Sequence, residues 1–97
     1  MSTVTNSYET VMVFTAVNGE EGATTLFEKF KALIEEHGTL TSVDEWGKRR
    51  LAYLINGEAE AYYYLVKFDS GPEFISELDR IYKITDGVLR SIILKKD

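Results

Sequence analysis

The segment Trp46-Gly47-Lys48-Arg49-Arg50 sets an indole beside three consecutive cations. Those residue types suit recognition of a phosphate chain: guanidinium groups fork onto phosphate oxygens, an ammonium adds a point charge, and an aromatic ring stacks on a base or sugar. Gly47 lets the backbone twist at that point. The same residues also fit a solvated sheet edge with Trp46 half buried, and spacing alone leaves both readings open. Arg90, Lys95 and Lys96 form a second, looser group of cations near the C-terminus.

Other candidates for chemistry are weaker. His37 stands next to Gly38 at an expected helix end, where a cation or polar cap interacts well with free carbonyls, and no partner for catalysis is placed beside it. Glu20-Glu21, Glu35-Glu36 and Asp44-Glu45 are sequence neighbours and do not point at a common substrate atom; they read as solvated surface. No phosphate loop, metal-ligand spacing or nucleophile elbow occurs, so neither an enzyme nor a cofactor or metal site is expected. Tyr62-Tyr63-Tyr64 invites comparison with the RNA-recognition motif, which stacks bases on third-strand aromatics. Glu60-Ala61-Tyr62-Tyr63-Tyr64-Leu65-Val66-Lys67 lacks the basic residue and glycine that motif needs. Tyr62 and Tyr64 read as core, leaving Tyr63 as the candidate exposed ring.

Composition bounds the rest. With 97 residues, 44% hydrophobic and 28% charged, one core suffices and no linker is visible, so a flexible N-terminus over residues 1–7 and a single domain over 8–97 are expected. Cysteine is absent, which removes disulfides, thiolate zinc sites and a thiol nucleophile. The N-terminus has no basic start followed by an apolar run, so the expectation is a cytoplasmic protein without a membrane partner. A net charge of −5 argues against a free-standing nucleic-acid binder, because such proteins gain affinity by neutralising phosphates. The objection applies to the average; the basic residues are unevenly placed, and a local patch survives it.

These residues must be positioned by secondary structure, and its pattern is readable. Tyr8 to Phe14 alternates as a first strand, with Val11 and Val13 on one parity and Tyr8, Met12 and Phe14 on the other. Asn18-Gly19-Glu20-Glu21 resembles a capping box leading into a helix whose stripe is Ala23, Leu26, Phe27, Phe30, Leu33 and Ile34, with Gly38 as a left-handed stop. Leu40 to Ile55 predicts a long second strand, bent or bulged at Gly47, and Asn56-Gly57 turns it into a hairpin. Tyr62 to Phe68 is the third strand. Ser70-Gly71-Pro72-Glu73 offers a cap, a proline and an acid ahead of a second helix bearing Phe74, Ile75, Leu78, Ile81 and Tyr82. Asp86-Gly87 and then Val88 to Lys95 complete a fourth strand.

The order βαββαβ predicts an α+β, ferredoxin-like fold: two right-handed crossovers put both helices on one face of a four-stranded antiparallel sheet. The other face stays open. Val11, Val13, Tyr63, Leu65 and Ile92 are expected on it, an apolar patch that calls for a partner.

The chain resembles the family of the sixth protein of the bacterial small ribosomal subunit. The resemblance rests on Tyr8-Glu9 opening the first strand, on Asp44-Glu45-Trp46-Gly47-Lys48-Arg49-Arg50-Leu51-Ala52-Tyr53-Leu54-Ile55, on the aromatic third strand from Tyr62, and on Val88-Leu89-Arg90; it covers about residues 8 to 96. It implies a ferredoxin-like fold without catalysis, and a structural role in the 30S subunit. It also implies binding to the central domain of 16S rRNA together with the small basic protein numbered eighteen in that subunit. The rRNA-binding residues it implies are Trp46, Lys48, Arg49, Arg50 and Arg90. Members commonly carry proline where this chain has Leu54, and a more basic hairpin with glycine where it has Ala61. The alternative from another class is a ferredoxin-like regulatory domain that dimerises and binds a small molecule between subunits.

Overall fold

The structure, a computed structural model, describes residues 5–55 and 57–96. Its elements are β1 (Asn6–Thr15), α1 (Gly19–His37), β2 (Gly38–Ile55), β3 (Glu58–Ser70), α2 (Glu73–Ile84) and β4 (Val88–Lys96). The strands form one antiparallel sheet in the order β2-β3-β1-β4, the ferredoxin-like arrangement. β1 starts at Asn6, two residues before the sequence reading. Residues 1–4 of the expected N-terminal tail lie outside the described residues.

The sheet has two unlike faces because side chains alternate along every strand and directly opposed residues share a side. Tyr8, Met12 and Phe14 of β1 and Tyr62, Tyr64, Val66 and Phe68 of β3 face the helices and are buried. Against them α1 sets Ala23, Phe27, Phe30 and Ile34, spaced by three and four so that they form one stripe. α2 sets Phe74, Leu78 and Tyr82, one per turn. Aromatic rings fill this layer: Phe27 stacks on Tyr64 at 4.4 Å between centroids, and Phe14 lies 6.0 Å from Phe30. Each large apolar side chain taken fully out of water contributes roughly 1.5–3 kcal/mol, so this one layer supplies most of the driving force for folding.

The helix ends differ from the sequence reading. Asn18 occupies the N-cap of α1 but its side chain accepts no capping bond, because Gly19, at φ 72°, turns the chain into the helix and its N–H donates to the Ala16 carbonyl at 3.0 Å. Gly38 is extended, not left-handed, and α1 passes straight into β2. A side chain there would collide with the Asp69 carbonyl of the neighbouring strand, so this glycine serves close strand approach. Ser70 does not cap α2 either; it ends β3 buried, and Pro72 takes the N-cap position.

A fully buried polar contact lies inside the helix-covered layer: the Tyr82 and Thr10 hydroxyls are 2.9 Å apart, both buried. Burial pushes the Tyr82 phenol above its ordinary value, against a smaller opposing effect of the Thr10 hydrogen bond. Tyr82→Phe or Thr10→Val is expected to cost about 1–3 kcal/mol by leaving one hydroxyl unpaired, while the double variant, with neither polar group, loses less than the sum; urea unfolding midpoints check this. Because the phenol binds its proton more tightly folded than unfolded, wild-type stability should be intact below pH 10.0 and fall as pH rises above it. Tyr82→Phe should remove that part of the decline in a pH series of unfolding curves.

Candidate nucleic-acid interface

The face without helices is read directly from the strand register. One row across it runs Gly47, Tyr63, Val13, Arg90; the next runs Asp44, Leu65, Val11, Ile92. The five residues expected on the open face therefore share it. Four are partly or largely exposed: Val11, Tyr63, Leu65 and Ile92. Val13 is not; it is only 3% exposed. It is covered by the end of β2, whose Leu51, Ala52, Tyr53 and Ile55 line a cleft of ≈ 210 Å³ with Val11, Val13, Tyr63, Arg90 and Ile92. The face is thus part-roofed by the chain itself, and Val13 contributes to folding where a free contact surface was expected.

Gly47 marks a break in β2. Its φ of 76° is left-handed, and the register slips between Glu45 and Gly47, so Trp46 is the extra residue of a bulge. The bulge turns the indole onto Tyr63, ring centroids 6.1 Å apart and planes within 17°. Trp46 remains 42% exposed, one ring face covered and the rest accessible.

Lys48, Arg49 and Arg50 do not form one patch on one face. Arg49 pairs with Ala61 on the open side, whereas Lys48 and Arg50 pair with Tyr62 and Glu60 on the helix side. Strict alternation forces this on any three consecutive strand residues. They are united by β2 being an edge strand: side chains of both faces reach around its unpaired edge, so the three cations line a rim. Lys48 lies 4.0 Å from Glu60, both half exposed, a pair worth at most about 1 kcal/mol. Among the described residues Arg49 and Arg50 make no ion pair within that distance. Charges on an edge also keep it from pairing with another sheet, so the rim would suit a soluble protein even without a ligand.

Arg90 lies across the sheet from Gly47. Its Nη1 donates to the Tyr53 Oη at 3.1 Å, and its guanidinium carbon is 5.9 Å from the centre of that ring. Tyr53 is not among the site residues expected from sequence; it is 60% exposed. Glu58 escapes sequence reasoning too. Its Oε1 accepts from the Thr15 hydroxyl at 2.6 Å and the Ala16 N–H at 3.3 Å, tying the start of β3 to the end of β1. No local signal marks either residue, since the partners are 37 to 43 positions away along the chain.

The charge distribution is lopsided. α1 carries Glu20, Glu21, Glu28, Glu35 and Glu36 against Lys29 and Lys31, on the far side of the sheet from Arg49 and Arg90. Among the described residues no group of three or more His, Asp or Glu could hold a metal. Among the described residues no helix is long and apolar enough to cross a membrane. The open-face cleft is smaller than the roughly 300 Å³ at which small-molecule sites begin. Hollows near 540 and 640 Å³, beside Thr85–Leu89 and at the start of α1, are open grooves with many polar walls.

Residues 7–95 match the family model for ribosomal protein S6. The small ribosomal subunit protein bS6 of Caldanaerobacter subterraneus is 50% identical over 92 residues, covering 94% of this chain and 97% of that protein. The bS6 protein of Clostridium perfringens is 48% identical over 91 residues, covering 93% and 96%. The crystal structure of 30S ribosomal protein S6 from Thermotoga maritima superimposes with a TM-score of 0.89 at 26% identity, covering 96% of this chain and 89% of that one.

Proposed function

The chain belongs to the ribosomal protein S6 family, components of the small ribosomal subunit and not enzymes, and from that premise we propose that it binds the central domain of 16S rRNA as half of a heterodimer with the small basic protein numbered eighteen. Its place is then the assembled 30S subunit in the bacterial cytoplasm. The observation that carries the reading is the rim of β2. Lys48, Arg49 and Arg50 line an unpaired edge beside a half-exposed Trp46, with Arg90 in the same row across the open face.

Phosphates lie in a line along a nucleic-acid backbone, and an edge strand offers cations in a line. Alternation alone makes successive cations diverge by a sheet's thickness, but at an edge both sets reach the same groove of solvent. Trp46, stacked on Tyr63 on one face, keeps its other ring face for a base or sugar. The open-face apolar residues Val11, Tyr63, Leu65 and Ile92 support a protein partner, since exposed contiguous apolar surface is seldom left bare. A basic partner also supports the reading on charge: it supplies phosphate neutralisation that a chain of net charge −5 lacks.

Charge reversal of Arg49 and Arg50 to Glu, on exposed side chains, should lower affinity for a central-domain rRNA fragment in the presence of protein eighteen by at least tenfold. The far-UV spectrum and unfolding midpoint should not move. Removing one cation from a phosphate reduces the slope of log affinity against log salt by about one, so filter binding across a potassium chloride series reads both effects. Wild-type affinity in the reversed variant would remove the rim from the interface. Failure of the wild type to enter small subunits in sucrose gradients would remove the function itself.

A further inference from the structure

Between the paired positions Arg50–Glu60 and Ile55–Glu58, β2 has four residues, Leu51 to Leu54, where β3 has one, Ala59. An ordinary bulge sets two residues against one, so the surplus residues must go somewhere. Leu54 turns outward, 63% exposed, and the other three do not. Leu51, Ala52 and Tyr53 fold across the open face and wall the cleft over Val11 and Val13, which is why Val13 is buried on a face that no helix covers.

Two fastenings hold this segment. Glu58 ties its return to β3 onto Thr15 and Ala16. At its far side Tyr53 meets Arg90 by the hydroxyl bond of 3.1 Å, which leaves the guanidinium carbon 5.9 Å from the ring centre, at the hydroxyl end of the ring. Nothing else among the described residues supplies a hydrogen bond to the Tyr53 side chain. Arg49 and Arg50 immediately precede the segment, so the direction in which it leaves the edge sets where their side chains point.

We propose that Arg90 is a positioning residue: by latching Tyr53 it holds the Leu51–Leu54 segment down on the open face and so fixes Arg49 and Arg50 at the β2 rim before RNA arrives. The proposal rests on the rRNA-binding reading given above. Ordering the segment during folding spares that cost at binding, which is how a rigid binder gains affinity without new contacts. A lysine at position 90 keeps the charge but not the planar guanidinium N–H aimed at the hydroxyl.

The test uses the full chain with protein eighteen and a central-domain rRNA fragment, and compares wild type with Arg90→Met, Arg90→Lys, Tyr53→Leu and the Met/Leu double variant. Arg90→Met and Tyr53→Leu should each weaken binding three- to tenfold with an unchanged salt slope, and the double variant should be no weaker than the worse single one. Arg90→Lys should restore little. In the free protein, amide exchange over residues 51–55 should quicken in both single variants while the unfolding midpoint stays put. Tyr53→Leu binding like wild type, with Arg90→Met lowering the salt slope by about one, would make Arg90 a direct phosphate ligand and overturn the proposal. Multiplying effects in the double variant, or unchanged exchange over 51–55, would overturn it too. If the wild type itself fails to bind rRNA, the functional reading falls and takes the binding role of the latch with it, while the exchange data still decide whether Arg90 holds the segment.

Discussion

The sheet has helices on one side only, and every other feature answers to that constraint. The side facing α1 and α2 is closed by aromatic and aliphatic side chains with Met12, Phe14, Phe30, Val66 and Phe68 fully out of water. Alternation then delivers a matching set of side chains to the other side, where no element of regular structure waits for them. A small domain has three ways to treat such a face: make it polar, cover it with its own chain, or give it to a partner. The first two occur here, and a remainder is left bare. Lys96 pairs with Glu9 at 3.2 Å at one end, Leu51, Ala52 and Tyr53 wall a cleft over the other, and Ile92 and Leu94 between them are left 44% and 50% exposed.

The same constraint organises charge. With the helical layer turned away, it can carry a surplus of carboxylates at little cost to a binding edge that lies on the opposite side or around the rim. Several of its ion pairs are internal to one helix, such as Lys83 with Asp79 at 2.9 Å, and do not reach across the sheet. Opposed fields of this kind orient an approaching polyanion more than they attract it, since the long-range average remains repulsive and is screened within about 10 Å at ordinary salt. Under the proposed function, a chain of this design would be brought to RNA by a second protein, and its own cations would act as a local guide once there.

Much of this was legible in the sequence, for physical reasons that can be named. The helical stripes from Ala23 to Ile34 and Phe74 to Tyr82, and the alternation from Tyr62 to Phe68, are periodic over enough residues that no other backbone would bury them together; the fold follows from their order. The open-face set of Val11, Tyr63, Leu65 and Ile92 was legible because parity is preserved wherever pairing is regular. Gly47 was legible as a break because a lone glycine inside a strand pattern has few other uses. Parity fails as a guide where the register slips. Past Arg50 the alternation of Leu51, Tyr53 and Ile55 looks like an ordinary strand, yet the four-against-one slip folds it over Val13, and neither the latch by Arg90 nor the tie by Glu58 leaves any local mark. The ends of the helices escape the sequence for a similar reason: Asn18 and Ser70 are the right residue types for caps, but the backbone at Gly19 and the strand at Ser70 had prior claims.

The likeness to the Thermotoga maritima structure, a TM-score of 0.89 at 26% identity, fits a division between what topology requires and what recognition requires. Topology needs only apolar side chains of adequate size at alternating and three-or-four spacings, a demand many sequences meet. Recognition along an edge needs particular groups in a particular order, because a fork for phosphate, a ring for stacking and a glycine for the turn are not interchangeable. In this chain those groups fall together in Trp46-Gly47-Lys48-Arg49-Arg50, on an edge strand, where strict alternation does not separate them, and the chain immediately beyond folds back onto the sheet. The segment proposed to carry the recognition chemistry is therefore flanked on both sides, by the Trp46–Tyr63 stack before it and by the Leu51–Tyr53 wall of the cleft after it, and these contacts fix the backbone from which the two arginines project.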